Sequence, residues 1–226
     1  GTAVGAVVGW FPVVGLGVGG TVGGMAAALA VGGVVPIVTG LVAVGAGMLL
    51  TGAFHEDGWA DTFDGLAGGY TPERRLEIMK DSRVGTFGAA ALIVAVGSKA
   101  ALVAALTELE WWHTVAVVAV AGAVSRAVSV WWMSRVSPAA PGLGSEYLAS
   151  VSRVGVAAAT VVGLSGAVAL GPGGAIGVLV ALVAGAAPVW WARRAIGGVT
   201  GDILGAIQIG SEIGFLVAVE AVRWWW

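Results

Sequence analysis

The first fifty-four residues contain no Asp, Glu, Lys or Arg, and the chain then runs straight into HEDGWADTFDGLAGG at His55–Gly69. A membrane crossing needs roughly 20 apolar residues for about 30 Å of hydrocarbon, so the uncharged opening is too long for one. It divides at Gly32-Gly33 and Pro36 into spans near 4–30 and 36–54. The rest of the chain agrees. Hydrophobic residues make up 58% and charged residues 11%, where soluble domains carry roughly a quarter charged, and the mean hydropathy is +0.95. Further spans read as 84–106, 113–133, 152–170, 174–192 and 203–223, the run Val154–Ala192 being broken at Gly171-Pro172-Gly173-Gly174. The expected fold is all-α: a polytopic transmembrane bundle of about seven spans in a single integral membrane domain, 1–226, with a short cytoplasmic amphipathic helix.

Basic residues give the sidedness. With the acidic stretch on one side and the loops alternating, that side receives 55–83, 134–151 and 193–202. Arg74, Arg75, Lys80, Arg83, Arg126, Arg135, Arg153, Arg193 and Arg194 lie in or beside those loops. Arg223 alone falls opposite and Lys99 lies within a span, so the acidic side is expected to be cytoplasmic in a bacterial or archaeal cell membrane. Trp111-Trp112 with Trp224 to Trp226 mark one interface and Trp131-Trp132 with Trp190-Trp191 the other, as an anchoring aromatic belt. Gly5/Gly9 and Gly15/Gly19/Gly23 have the four-residue spacing that lets helices pack closely in lipid. A net charge of −2 without a basic stripe gives nucleic acid no footing. The absence of Cys excludes disulfides, iron–sulfur sites and thiol nucleophiles. Gly1 is not an initiator Met and no cleavable signal is visible, so the chain is expected to be trimmed at its start.

The carboxylates carry the chemistry. A dense acidic cluster at the edge of an apolar region is costly unless a cation compensates it. If the segment is helical, Asp57, Asp61 and Asp64 fall at about 0°, 40° and −20° around the axis and share one face. Three hard oxygen donors on one stripe suit a Mg²⁺-type ion held against a phosphorylated substrate. The plainer reading is a solvated loop of turn carboxylates; the interleaved Trp59, Ala60, Phe63 and Leu66 argue instead for a half-buried helix. His55 is open to three roles: metal ligand, the weakest for an oxygen-loving ion, proton carrier, or interfacial polar residue. His113 lies on the opposite side and reads as structural. Thr71–Ser82 reads as the amphipathic surface helix, capped by Thr71 with Pro72 in its first turn. Lys80, Asp81 and Arg83 lie beside the membrane.

A second polar constellation is Arg193-Arg194 followed by GGVTGDILGAIQIGSEIG. Asp202 opens the last helix, as a cap or as a site residue. Gln208 and Glu212 lie four apart on one face of a span, and a carboxylate inside a lipid-spanning helix is a functional candidate by default. Arg126 and Arg153 either hold phosphate or set topology.

Taken together, these motifs resemble the cobalamin synthase family of adenosylcobinamide-GDP ribazoletransferases. The likeness rests on TGAFHEDGWADTFDGLAGG at 51–69, RRLEIMKDSRVGTFG at 74–88, GGVTGDILGA at 197–206 followed by Glu212, and FPVVGLGVG at 11–19. His55, Asp57, Gly58, Ala60, Asp61, Thr62, Asp64, Gly65 and Leu66 match the family pattern His-x-Asp-Gly-x-Ala-Asp-Thr-x-Asp-Gly-Leu. Three features depart from it: relatives carry a stretch before the FP segment, often place an Arg where this loop has Ala140 and Pro141, and commonly have Asn where Gln208 stands.

The resemblance implies a Mg²⁺-dependent transfer in which the 5′-hydroxyl of α-ribazole, or its 5′-phosphate form, attacks adenosylcobinamide-GDP and expels GMP. On that basis Asp57, Asp61 and Asp64 are expected to hold Mg²⁺. Lys80 and Arg83 would neutralise the diphosphate, with Arg126, Arg153, Asp202 and Glu212 as further substrate or phosphate contacts. A carboxylate or His55 would take the hydroxyl proton, with Asp81 as a second candidate. The lipid bilayer is the expected surrounding, and homo-oligomers or other membrane proteins of the corrinoid pathway are the protein partners open to it. Two rivals use the same residues otherwise. A transporter or ion channel would employ Glu212 and Lys99 as coupling sites. A CDP-alcohol phosphotransferase has similar aspartates at a longer Asp/Gly/Arg spacing that is not found here.

Overall fold

The computed structural model describes residues 7–141, 145, 148–149 and 151–223. Nine α-helices are described: α1 Phe11–Val31, entered through a 3₁₀ turn at Val8–Trp10, α2 Pro36–Thr51, α3 Phe54–Gly68, α4 Pro72–Ile78, α5 Thr86–Leu106, α6 Trp111–Met133, α7 Arg153–Ala169, α8 Gly171–Ile196 and α9 Gly201–Ala221. No strand occurs among the described residues, only a single bridge between Pro138 and Val199. Among the described residues, five segments are long and apolar enough to cross a membrane: Val8–Val31, α5, α6, α8 and α9. The expected spans at 36–54 and 152–170 are present as shorter helices, α2 of 16 residues and α7 of 17. Gly5 and Trp224 to Trp226, parts of the expected packing stripe and aromatic belt, lie outside the described residues, as do Gly142 to Gly144 of the 134–151 loop.

Small residues set the packing. A Cβ on Gly15 would stand 2.1 Å from the Gly122 carbonyl oxygen, and one on Gly19 2.3 Å from that of Val118. The α1 and α6 backbones are therefore in direct antiparallel contact along the stripe formed by Gly15, Gly19 and Gly23. The α2–α5 crossing at Gly40 and Ala100 and the α7–α8 crossing at Ala167 and Gly174 are equally close, at 2.0 Å from the would-be Cβ. Without a hydrophobic drive between helices in lipid, such backbone contact is what brings them together.

The break after α2 positions the site. Gly52 and Ala53 both take the left-handed conformation, with φ of 64° and 53°, and α3 leaves at 94° to α2. For Ala53 that conformation costs about 1–2 kcal/mol, and two aromatic contacts along α3 hold the bend. The indole N–H of Trp59 donates to the Ala91 carbonyl at 3.1 Å. Phe63 packs between Trp59 and Trp191, with ring centroids 4.8 and 5.6 Å apart. Trp191, expected as an interfacial anchor, also clamps α3 against α8.

The surface helix is shorter than the expected 71–82, ending at Ile78, but Thr71 caps it as anticipated, accepting from the Arg74 amide at 3.3 Å. Arg75 ties it down, donating to the Gly69 and Ala195 carbonyls at 2.9 Å each. Nearby, the strip Ser137–Ala139 is held to the turn before α9: the Val199 amide donates to Ser137 and the Ala139 amide to Val199, at 3.0 and 2.9 Å.

Candidate active site

Two helices from opposite ends of the sequence build the acidic site. Gly58 of α3 lies against the backbone of Asp202 at the start of α9; a Cβ there would be 2.9 Å from the Asp202 carbonyl oxygen and 3.0 Å from its Cα. That approach brings exposed Asp57 and half-buried Asp61 beside half-buried Asp202. The carboxylates of Asp57, Asp202 and Asp64 all act on Asp61 through their charge. Asp202 is not the cap of α9. Thr200 is, accepting from the Ile203 amide at 3.5 Å, and its hydroxyl donates to Asp202 Oδ2 at 3.0 Å. Asp202 is thus available to the acidic face, where it adds a carboxylate to the stripe on α3.

Asp64 is placed differently from its two neighbours on the stripe. It is buried, and its two oxygens accept the Gly85 and Gly88 amides at 2.7 and 2.8 Å. A carboxylate at a helix N-terminus is favoured by the unsatisfied amides and by the dipole, so Asp64 caps α5 from a distance in sequence. Gly88 has to be glycine for this, since a Cβ would meet Asp64 Oδ2 at 2.2 Å. Three aspartates were expected to converge on one ion; the face presented is instead Asp57 and Asp61 with Asp202, and Asp64 tethers α5.

Hard carboxylate oxygens are the right donors for Mg²⁺. Among the described residues, no three His, Asp or Glu side chains close into a ready-made metal cage. None of Asp57, Asp61 and Asp202 forms an ion pair with Lys or Arg in the described set. Mg²⁺ retains waters and is commonly held by one or two carboxylates plus substrate phosphate, so an incomplete, uncompensated acidic face fits that ion.

The other expected site residues separate into two groups. Lys80, Arg83 and Arg153 are exposed. Asp81 and Arg83 hold each other, Arg83 Nε and Nη2 donating to the two Asp81 oxygens at 2.9 and 2.6 Å. Those hydrogen bonds keep the Asp81 carboxyl at about 2, which makes it a poor proton acceptor. The second group is interior. Glu212 is ten residues beyond Asp202 on α9, about 15 Å along the axis at 1.5 Å per residue. It is buried with Lys99 Nζ at 2.9 Å from Oε1 and Gln208 Nε2 at 3.3 Å from Oε2. Arg126 is also buried, donating to its own helix at the Gly122 carbonyl, 3.0 Å away. Its charge reaches Glu212 and Glu56. Half-buried His55 backs onto Gly205, whose would-be Cβ stands 3.2 Å from the His55 carbonyl oxygen. Lys99 and Glu212, the pair a transporter would need for coupling, are thus engaged with each other.

Glu56 and Thr200 carry no role in the sequence reading, and Lys99 enters it only as a transporter coupling site. The available signal was that Lys99 is the lone charge of the span 84–106, as Glu212 is of the middle of the last one; isolated opposite charges in lipid-spanning helices tend to be partners.

A model of the family described as cobalamin-5-phosphate synthase matches residues 2–220. Adenosylcobinamide-GDP ribazoletransferase of Bradyrhizobium diazoefficiens is 44% identical over 193 residues, covering 84% of this chain and 74% of the relative. The protein of the same name from Klebsiella pneumoniae is 41% identical over 219 residues, covering 92% and 85%. That from Rhizobium etli is 41% identical over 200 residues, covering 81% and 74%. No solved structure matches. Matched almost end to end by the family and by relatives of this similarity, the chain belongs to the cobalamin-5-phosphate synthase family.

Proposed function

We propose that the protein is a membrane-embedded transferase that joins adenosylcobinamide-GDP to α-ribazole or its 5′-phosphate and releases GMP. The names of its relatives support the reaction class. The observation that carries the site is the grouping of Asp57, Asp61 and Asp202, whose charges act on one another and none of which pairs with Lys or Arg among the described residues. A like-charged cluster at a membrane protein's edge needs a positive partner from outside the chain. Asp57 and Asp61 would hold Mg²⁺, with Asp202 as the third carboxylate. When bound there, Mg²⁺ supplies charge neutralisation on the diphosphate.

The balance of the reaction selects the nucleophile. In the 5′-phosphate form the 5′ oxygen is already esterified, so the hydroxyl common to both acceptors is a ribose ring hydroxyl rather than the 5′-hydroxyl. Its oxygen forms a bond to the phosphorus that carries the cobinamide ester. The bridging bond to the guanylate phosphate breaks and GMP leaves. Displacement at phosphorus is mostly alignment and charge stabilisation, which suits a rigid acidic face. Exposed Lys80 and Arg153 are free to approach the remaining phosphate charge as the substrate docks. A carboxylate of the acidic face takes the hydroxyl proton, since Asp81 is committed to Arg83. The side bearing this face is cytoplasmic, where the nine basic residues gather.

The direct assay is purified protein in detergent with Mg²⁺, adenosylcobinamide-GDP and α-ribazole. GMP release stoichiometric with the joined product is expected; its absence from well-folded protein overturns the assignment.

A further inference from the structure

Beneath the acidic face lies a set of buried and half-buried charges that the reaction does not use. It draws one member from each of four helices: Glu56 from α3, Lys99 from α5, Arg126 from α6 and Glu212 from α9. Two carboxylates face two cations, so the set is neutral as a whole. Lys99 is central to it. Its ammonium pairs with Glu212 at 2.9 Å, with side-chain exposures of 13% and 6%. Lys99 also lines a partly open crevice with about 10 Å³ of room, together with Glu56, Trp59, Val44 and Ile209. Glu56 Oε2 is buried and has no hydrogen-bond partner among the described residues. A space of that size is at the lower limit for one water, and an orphaned carboxylate oxygen beside an ammonium is the polar lining such a water requires.

We propose that Lys99 is a positioning residue for the transfer reaction: paired with Glu212 and linked to Glu56 across a single water, it fixes α3 against α9 so that Asp57 and Asp61 face Asp202. The link is short, because Glu56 immediately precedes Asp57 and because His55 already backs onto Gly205 of α9. Neither Lys99 nor Glu212 touches substrate in this arrangement. Their effect on catalysis is through the helix that carries the aspartates. This inference rests on the proposed reaction.

The test uses wild type, Lys99→Met, the double variant Lys99→Met/Glu212→Leu, and Glu56→Gln. Spin labels at Ala67→Cys and Val217→Cys, exposed positions on α3 and α9 in a chain without native cysteine, report the distance between the helices. Lys99→Met is expected to unfold at a clearly lower temperature, because Glu212 is left buried and unpaired. The double variant should recover the unfolding temperature, since apolar residues of similar volume can replace a buried ion pair. Its label distances should nevertheless broaden, and kcat should stay down about a hundredfold with KM within about twofold. Glu56→Gln, which keeps the ion pair and the side-chain shape, should unfold within about 2 °C of wild type and show the same broadening and kcat loss. A double variant or a Glu56→Gln protein with wild-type distances or wild-type kcat overturns the proposal and leaves the pair as a structural tie only. If wild type itself releases no GMP, the reaction assignment fails, and the label distances alone decide the positioning role.

Discussion

The acidic face and the buried charge set beneath it are both built on α3 and α9, yet they treat charge in opposite ways. Asp57, Asp61 and Asp202 are alike in sign and have no Lys or Arg paired with them among the described residues. Glu56, Glu212, Lys99 and Arg126 lie deeper and balance one another. The lesson is that carboxylates near a membrane are not equivalent evidence of function. A buried one must be neutralised inside the fold, whereas one left uncompensated at the rim is available to a ligand that brings its own positive charge. Arg223 on the far side behaves like the buried set, pairing with Glu108 and Glu220 at 3.0 and 3.1 Å to join the end of α9 to the α5–α6 turn.

Substitutions should divide along the same line. The largest effect is expected for Asp61→Asn, which should lower GMP release by about a hundredfold to a thousandfold while leaving thermal stability unchanged or slightly raised, because a like-charge contact is relieved. Next is Lys99→Met, expected to cost about 3–5 kcal/mol of stability in a detergent unfolding measurement, the usual consequence of stranding a buried charge. Equal stability losses for these two variants would erase the distinction between rim and interior. Gly88→Ala drives a methyl group into the Asp64 carboxylate and the Ala60 carbonyl. It should destabilise by about 1–3 kcal/mol, and a neutral result would show that Asp64 is free to leave the α5 amides. The smallest effect is Ala53→Gly, which relieves the left-handed backbone at the bend and should raise stability by up to about 1 kcal/mol. A loss there would mean that the Ala53 methyl contributes more by contact than its conformation costs.

Much of this organisation was legible in the sequence, and the part that was not has a physical reason. The uncharged opening, the break at Gly32–Pro36, the spans over 84–106, 113–133 and 203–223, and the Thr71 cap depend on local composition, and they appear where expected. The Gly15/Gly19/Gly23 stripe announced a close helix contact, though not that α6 would be the partner. Helical periodicity also put Asp57, Asp61 and Asp64 on one face. Periodicity does not say what that face meets, and α3 meets two neighbours, so Asp57 and Asp61 look toward Asp202 of α9 while Asp64 reaches the start of α5. The approach of Gly58 to Asp202 and the shared crevice of Glu56 and Lys99 join residues more than forty positions apart, beyond any local pattern. The 94° turn after Thr51 likewise depends on two consecutive left-handed residues, and an alanine in that conformation gives no warning in a sequence.

Divalent-metal binding to the acidic face tests the central claim most directly. Mn²⁺ titrated into folded protein with adenosylcobinamide-GDP present, followed by its paramagnetic resonance signal, should bind wild type and lose at least about tenfold in affinity in Asp61→Asn. Equal Mn²⁺ affinity in wild type and in a folded Asp61→Asn protein would contradict the claim that Asp57, Asp61 and Asp202 receive the cation.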